Sequence, residues 1–405
     1  MPSPAEPRPI PQGDSLAAAG LGFFEAGFSA LDAYHGIAPG LLRFLLVEGG
    51  LADLAMASEG LEYPGLPYAD AALAPAPRAP GAGGAGGAGG AGGSKAADRD
   101  EDPGDSSKAC ERTYIRLADS AAQAERAAFP VLDLLRDPTK RGVYLDPKGI
   151  RGSLRSRRLE ARPAPAEEEL FQAAGLLARY DYELPPGYLP APPRDFPLES
   201  QRDLLVLILT GRAPERALAF LRACGFIESY WPELEALAGV DQAKEFHPEG
   251  DVWAHTMETF RHRKLPDLRL SLGLLLHDAG KPRASASGGR KFDRHAELGA
   301  STARRFLSRL GFPPALCDDV AYLVRYHMLP AALPRLPLER GIEGVDEPLF
   351  PLLLELYRCD ELSSFKGPEG YYEACAAYRS HLKNGRNPWR NPEAARLARV
   401  FLPGR

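Results

Sequence analysis

Histidine and aspartate residues recur at the ends and in the interior of apolar segments in the second half of this 405-residue chain. Only eight histidines are present, and five of them lie between His255 and His327. His277 and Asp278 follow the apolar segment LRLSLGLLL, and Asp360 lies inside the apolar segment LFPLLLELYRCDEL. Charged groups are costly to bury unless they are paired or bind a metal. The joint pattern therefore favours a buried metal site.

The mixture of imidazole and carboxylate groups indicates which ions such a site would hold. These ligands suit divalent ions with open coordination positions, such as Mn, Fe, Co, Ni or Zn. A bound ion can lower the pKa of water and polarise a phosphoryl oxygen, and two ions about 3.5–4 Å apart can hold both reacting oxygens. Any one helical histidine is more often an ordinary core or surface residue, so the prediction depends on the whole set.

Helices with characteristic ends are expected to position these side chains. Apolar residues recur at spacings of three and four from about Glu167 onward, with Pro and Gly between the segments, which predicts a series of helices. Asp251 is a candidate N-cap for a helix that contains His255. We expect His277 to end a helix before Gly280 and Pro282, His295 to begin one, His327 to end one, and Asp360 to lie within one.

The N-terminal part has a different pattern. Leu41–Val47 is a short apolar run before Gly49 and Gly50 and predicts a buried strand, and Tyr114–Leu117 and Pro130–Leu135 are further strand candidates. Residues 74–108 are rich in Pro and Gly and then acidic, so this insertion is predicted to be disordered. Its GAGG repeats lack the Lys-Ser/Thr pair of a phosphate loop and indicate a flexible linker.

The composition limits the classes of protein to which this chain can belong. The formal net charge of −5 is mild and gives no general attraction to nucleic acid. The five cysteines include no CxxC pair, which favours reduced thiols in a cytoplasmic protein. The sequence shows no signal peptide pattern and no stretch of about 18 apolar residues, so no membrane partner is expected.

Four motifs carry a resemblance to a known family: HPEGDVWAHT (247–256), LLLHDAGKP (274–282), FDRHAELGA (292–300) and VRYHM (324–328). They closely resemble the HD domain of bacterial tRNA nucleotidyltransferases and poly(A) polymerases. Members of the HD superfamily are helical, metal-dependent phosphohydrolases. The resemblance implies one or two divalent ions, with Mn, Fe, Co, Ni or Mg as candidates. The residues it implies as metal ligands are His255, His277, Asp278 and Asp360, with His295 and His327 as extra ligands of a two-metal site.

The resemblance also implies roles in catalysis. Asp278 is expected to orient the attacking water as well as bind metal. Lys281 matches the lysine that follows the His-Asp pair and contacts phosphate in several relatives. We therefore expect Asp278 and Lys281 to be the catalytic residues.

The N-terminal part resembles the nucleotidyltransferase head of the same family in FLLVEGGLADLA (44–55), AFPVLDLLRDP (128–138) and VYLDPKGI (143–150). The family's arginine before Asp53 is replaced by Ala52, and the paired carboxylates expected on the next strand are absent. Nucleotidyl transfer needs two close carboxylates to hold two magnesium ions. Asp53 could form such a carboxylate pair with Asp70 or Glu62 only if the folded chain brought the two residues close together. The head is therefore predicted to be degenerate.

Together these patterns predict a mostly α fold. We expect a small N-terminal α/β nucleotidyltransferase-like region over residues 1–165, including the disordered insertion, and a helical connector over 166–245. An all-α HD domain should follow over 246–365, with a basic helical tail over 366–405.

Two basic segments are candidate RNA contacts. Residues 140–162 contain eight Lys and Arg residues, and residues 379–405 contain seven. Such groups can bind backbone phosphates. A solvated positive face balanced by nearby acidic groups is the alternative that we prefer.

Three functions fit the sequence. The first is an HD phosphohydrolase that acts on a nucleotide or an RNA-end phosphoester through metal-activated water. The second is a tRNA CCA-adding or poly(A) nucleotidyltransferase-family protein whose HD domain is accessory. The third is a non-catalytic RNA-binding relative. The first is our expectation, with a nucleotide or RNA-end phosphoester as substrate and RNA as a possible partner, while the oligomeric state stays open.

Overall fold

The computed structural model describes residues 22–38, 41–48, 61–62, 71–73, 105–118, 127–140, 142–146, 149–241, 250–286, 292–337, 342–364, 367–384 and 391–403. Within these ranges the chain begins with a sheet and continues as a series of helices. The expected mostly α fold, with a small N-terminal α/β region and a helical C-terminal domain, is confirmed.

The described residues of the N-terminal region form a seven-stranded sheet, in the order β3-β4-β5-β2-β1-β6-β7. β2 and β5 are parallel, and the other neighbouring strands are antiparallel. The helix α1 (Gly27–His35) follows β1 and packs on this sheet. The strands are β1 Gly22–Ala26, β2 Leu42–Glu48, β3 Leu61–Glu62, β4 Ala71–Leu73, β5 Arg112–Ala118, β6 Leu135–Arg136 and β7 Tyr144–Leu145.

The strand predictions for this region succeeded in part. The apolar run at 41–47 forms β2, and residues 114–117 lie in β5. Pro130–Leu135, however, is not a strand: Pro130–Asp133 forms a 3-10 helix, and only Leu135 and Arg136 pair in the sheet. Pro130 takes the first position of that turn, where its missing N–H costs nothing.

The insertion predicted to be disordered lies mostly outside the described residues. Its last residues contradict that prediction, because Ser106–Cys110 forms a 3-10 helix. Asp105 caps this turn by accepting a hydrogen bond from Ser107 N, and Ser106 Oγ donates to Asp319 Oδ2 at 2.6 Å. Tertiary contacts to the C-terminal domain therefore order a segment whose composition alone indicated disorder.

Helices connect the sheet to the C-terminal domain. In the helix Ala166–Arg179, Arg179 Nη2 lies 2.7 Å from Asp32 Oδ2 of α1, and both side chains are buried. Tyr180 also donates to Asp32, at 2.7 Å, so the connector is fixed to the head by a buried polar group. The helices are α2 Arg151–Ser156, α3 Ala166–Arg179, α4 Leu198–Leu209, α5 Pro214–Ala223, α6 Phe226–Tyr230 and α7 Pro232–Glu235.

In the described residues of the C-terminal region, helices are the regular elements, apart from an isolated β-bridge between Asp241 and Asp251. The apolar core of this region is continuous with the cores of the connector and the head. Two 3-10 turns, Phe260–His262 and Leu333–Arg335, accompany the helices. The helices are α8 Val252–Thr259, α9 Leu268–Leu276, α10 Lys281–Ala286, α11 His295–Arg309, α12 Pro314–Tyr326, α13 Leu329–Ala332, α14 Phe350–Leu362, α15 Glu369–Asn384 and α16 Pro392–Phe401.

Arg269 of α9 joins distant parts of the molecule. Its side chain is fully buried and pairs with Glu393 of α16. Asp319 of α12 and Asp105 before β5 lie 3.8 Å and 3.7 Å from its guanidinium nitrogens. One buried cation therefore contacts the tail, the helical domain and the end of the insertion.

The expected lack of a membrane span and the expected reduced thiols can be compared with the described residues. Among the described helices none is long and apolar enough to cross a membrane. All five cysteines are buried and none forms a disulfide.

Candidate metal centre

The helix α8 carries His255 into the core. Asp251 caps this helix by accepting a hydrogen bond from Ala254 N at 2.8 Å, as its position in the sequence predicted. His255 and Thr256 are almost fully buried. A short capped helix therefore holds an imidazole ring inside the domain.

His277 and Asp278 lie in the turn that follows α9. The apolar helix ends at Leu276, and the Nδ1–H of His277 donates to the carbonyl of Leu274 at 2.8 Å. This end before Gly280 and Pro282 agrees with the expectation, and a new helix, α10, begins at Lys281 directly after Gly280. Proline is tolerated there because it stands in the first turn of the new helix.

The ends of α11 and α12 supply two more histidines. His295 is the first residue of α11, and His327 directly follows Tyr326, the last residue of α12. Their Nδ1–H groups donate to the carbonyls of Phe292 and Val324, at 2.8 Å and 2.7 Å. Both positions agree with the predicted helix ends.

Asp360 approaches from the interior of α14. Its Oδ1 lies 2.9 Å from His255 Nε2 and 3.9 Å from His277 Nε2. Burial alone would raise the pKa of Asp360, but the hydrogen bond and charge of His255 hold that pKa below its ordinary value. The carboxyl is therefore ionised beside two imidazole nitrogens.

The six predicted ligand residues form two groups, each with ligand atoms within 4.8 Å of one another. The first group contains His255, His277 and Asp360, and the second contains Asp278, His295 and His327. These are the groups able to hold a metal ion among the residues that the structure describes. The structure thus brings all six together, while their role as metal ligands stays a prediction.

The hydrogen bonds of the second group favour a cation between its histidines. In His295 and His327 the Nδ1 atom faces a carbonyl oxygen, which can only accept, so the neutral ring carries its proton there. The two Nε2 atoms then face each other with lone pairs at 3.2 Å. Two nitrogen ligands bound at about 2.1 Å to one ion lie at roughly this separation. The donor set therefore fits a divalent metal.

Asp278 lies between the two groups. Its Oδ2 is 3.2 Å from His277 Nε2, and its Oδ1 is 3.8 Å from His295 Nε2. Burial would raise the pKa of Asp278, but the charges of His277 and Lys281 hold that pKa well below its ordinary value. This carboxylate could bind an ion in either group, and an ion bound there would itself attract a phosphate oxygen.

Lys281 is more enclosed than a residue at the rim of a pocket. Its side chain is mostly buried, and Nζ lies 2.6 Å from Asp278 Oδ2 and 5.2 Å from the centre of the Phe292 ring. This geometry fixes Lys281 against Asp278. A contact with phosphate stays a prediction.

Sequence reasoning missed two neighbours of this centre. Phe292 covers the ammonium group of Lys281, and Ser363 contacts the ring of His255. The available signal for Ser363 was its spacing, because residues three apart lie on one face of a helix and Asp360 is three residues before it.

The carboxylates considered for the head are Asp53, Glu62 and Asp70. Asp53 and Asp70 lie outside the described residues, and only the backbone of Glu62 is described.

The comparisons with known proteins define the class of the C-terminal region. Residues 251–399 match the family model of the HD domain. The matched region extends into the helices α15 and α16. The expected resemblance to the HD domain of tRNA nucleotidyltransferases is thereby confirmed.

Curated relatives and a solved structure give the more particular likeness. The chain is 39% identical over 118 residues to a "Multifunctional CCA protein" of Halorhodospira halophila, covering 28% of each chain. It is 32% identical over 279 residues to the "CC-adding tRNA nucleotidyltransferase" of Thermus thermophilus, covering 60% of this chain and 61% of the relative. The chain thus spans less than two thirds of these relatives. The CCA-adding enzyme of Bacillus stearothermophilus in complex with CTP aligns with 96% of this chain and 81% of its own, at 16% identity and a TM-score of 0.43.

These relatives overturn the expected enzyme class. We expected a hydrolase of phosphoester bonds, but the names of the relatives describe CCA proteins and tRNA nucleotidyltransferases, which are transferases. The expectation failed because a set of metal ligands identifies a domain and its ion without identifying the reaction of the whole chain.

Proposed function

We propose that this chain is a tRNA nucleotidyltransferase-type protein that binds the 3′ region of tRNA and whose HD domain is an accessory domain holding divalent metal. The alignment with the Thermus relative carries this proposal. It includes 279 residues, so it extends beyond the HD domain at residues 251–399. A likeness restricted to the HD domain would indicate the metal centre alone, whereas a longer one supports a shared RNA substrate.

The metal centre supports the accessory role. Two ligand groups meet at Asp278, and the second offers two imidazole nitrogens 3.2 Å apart. Nitrogen-rich ligands favour Mn, Fe, Co or Ni over Mg. We propose that one or two of these ions bind the six residues His255, His277, Asp278, His295, His327 and Asp360.

The basic segment at residues 140–162 supports contact with RNA. Lys140 and Arg157 pair with Asp137 and Asp181 at 3.0 Å, but both cations are largely exposed. Exposed ion pairs contribute only about 0–1 kcal/mol. Backbone phosphates of RNA can therefore replace these acidic partners at little cost.

Filter binding tests the proposed partner. The probes are a tRNA that lacks its 3′-terminal CCA and an unstructured RNA of the same length. We expect tighter binding of the tRNA and an affinity that falls with salt, because phosphate contacts release counterions. Equal affinity for both probes, or binding of neither, would contradict the proposal.

Charge reversal locates the RNA contact. The double variant Arg155→Glu, Arg158→Glu removes two exposed cations of the basic segment. The equal charge change Arg304→Glu, Arg305→Glu is the matched control, since both exposed arginines lie on α11. The variant of the basic segment should bind tRNA more weakly and with a smaller salt dependence than the control.

A further inference from the structure

His255 is held differently from the other three histidines of the metal centre. His277, His295 and His327 each donate Nδ1–H to the carbonyl of the residue three positions earlier. For His255 the Nδ1 atom instead faces a side chain, Ser363 Oγ, at 3.2 Å. The ring orientation of His255 therefore depends on another helix.

The local backbone of α8 explains this difference. The carbonyl three positions before His255 belongs to Val252, and it accepts a hydrogen bond from Thr256 Oγ1 at 2.8 Å. Thr256 is fully buried, so its hydroxyl needs this acceptor. His255 lies inside its helix, whereas His277 and His327 follow the last residue of theirs and His295 is the first residue of its helix.

Ser363 is arranged to accept the proton of His255. It directly follows α14, is almost completely buried, and donates its own hydroxyl proton to the carbonyl of Asp360 at 2.7 Å. Its oxygen lone pairs are then available to the Nδ1–H of His255. Without a metal, the 2.9 Å contact between Nε2 and Asp360 Oδ1 is a hydrogen bond that Nε2–H donates. Binding of an ion requires the lone pair of Nε2 instead, and the bond from Nδ1–H to Ser363 Oγ favours the neutral tautomer that has this lone pair.

We propose that Ser363 is a positioning residue of the metal centre, which fixes the tautomer and rotation of His255 so that Nε2 binds the ion of the first ligand group. The same hydroxyl contacts the backbone of Asp360, so one side chain orients two ligands from two helices. Partners of this kind make a histidine ligand more basic and hold its ring in place. The inference rests on the proposed metal centre.

Cobalt binding to the full chain tests this role. The metal-free protein is titrated with Co²⁺ while the visible absorption of the bound ion is recorded. Ser363→Ala removes the hydroxyl, whereas Ser363→Thr keeps it and Ser363→Val matches the size of threonine without it. Ser364→Ala is the control, because Ser364 Oγ makes the equivalent bond to the carbonyl of Glu361 at 2.8 Å.

We expect Ser363→Ala and Ser363→Val to bind Co²⁺ roughly 10- to 100-fold more weakly, with an altered absorption spectrum. Ser363→Thr and Ser364→Ala should behave like the wild type. Wild-type affinity and spectrum in Ser363→Ala would overturn the inference and leave the metal centre intact. Failure of the wild type to bind Co²⁺ would instead refute the proposed centre.

Thermal unfolding of the metal-free variants separates positioning from a purely structural role. Ser363→Thr and Ser363→Val introduce the same extra volume, so any packing cost is shared by the pair. We expect the metal-free Ser363→Val variant to melt at a lower temperature than Ser363→Thr, because it leaves buried polar groups without a partner, and also to bind Co²⁺ more weakly. A lower melting temperature of Ser363→Val without a difference in Co²⁺ affinity would show that the hydroxyl serves the fold.

Discussion

At the scale of single residues, we expect Asp278 to have the greatest influence on the proposed centre, because its carboxylate lies between both ligand groups. Asp278→Asn keeps the shape of the side chain and removes its charge. We expect the variant to lose metal affinity by more than roughly 100-fold, which exceeds the usual effect of an outer partner. Metal analysis after equilibration with Mn²⁺ measures this loss, and circular dichroism verifies that the helices persist.

Lys281→Met is the control for that charge change. It removes the ammonium group 2.6 Å from Asp278 while leaving all proposed ligands. This variant should retain metal at the wild-type level. If Asp278→Asn also retained it, Asp278 would not be a ligand.

The stability of the metal-free protein should depend on His327. Burial and the neighbouring His277 lower the pKa of His327 from 6.5 to about 4. Between these values the unfolded chain binds a proton that the folded chain does not. The free energy of unfolding should therefore decrease as the pH falls from 6.5 towards 4, by on the order of 3 kcal/mol from this residue.

Urea unfolding of chelator-treated protein at pH 7 and pH 4.5 measures this effect. Other groups titrate in the same range, so the comparison is between the wild type and His327→Gln. The variant should lose less stability on acidification than the wild type. Parallel pH profiles of the two proteins would contradict a neutral, buried His327.

The convergence of the six proposed ligand residues could be predicted from the sequence, whereas the contact between Ser363 and His255 was missed. Burial of histidine and aspartate at the ends of apolar segments costs free energy unless these residues are paired or bind a metal. This cost limits the roles that such residues can have. A serine such as Ser363 has many ordinary positions in proteins. Its role follows only from the approach of two helices more than a hundred residues apart in the chain.

At the scale of elements, local signals predicted the helix ends and failed where pairing decided the structure. Asp251 caps α8 through its own neighbours, so the sequence contains the whole signal. Leu135 and Arg136 become a strand by pairing with Ala26 and Glu25 of β1, over 100 residues earlier. No pattern within Pro130–Leu135 contains that information.

The turn before α10 crosses close to the start of α11, with the backbone of Gly280 against that of His295 and Gly299. A Cβ atom on Gly280 would lie 2.5 Å from the backbone nitrogen of Gly299 and closer still to the carbonyl oxygen of His295. Gly280→Ala must therefore displace the start of α11. Because His295 begins that helix, we expect the second ligand group to lose its ion while the first keeps one.

Metal stoichiometry measured at saturating Mn²⁺ tests this expectation. Gly152→Ala is the control, since a Cβ atom there meets nothing within 4 Å. The control should bind as many ions as the wild type and Gly280→Ala one fewer. An unchanged stoichiometry in Gly280→Ala would indicate that α11 does not position a ligand, and a single ion in the wild type would refute the two-metal centre.

At the scale of the whole molecule, buried polar contacts join the head to the rest of the chain. Asp32 of α1 pairs with Arg179 of the connector, and Asp105 lies near Arg269 of the HD domain. Removing one partner of a buried ion pair is strongly destabilising, often by about 3–5 kcal/mol. The head therefore has a structural role in this chain that does not depend on any catalytic role.

Because the head can have a structural role without a catalytic one, we predict that it does not transfer nucleotides. Nucleotidyl transfer requires two close carboxylates to hold two magnesium ions. The sequence has Ala52 where the family resemblance calls for an arginine, and separate Glu62 and Asp70 residues where it calls for a carboxylate pair. The test incubates the full chain with labelled CTP or ATP and tRNA lacking its 3′ end. We expect tRNA binding without incorporation, and the CC-adding Thermus relative serves as the positive control with CTP. Robust incorporation that is lost in Asp53→Ala would refute the degenerate head and assign Asp53 to catalysis.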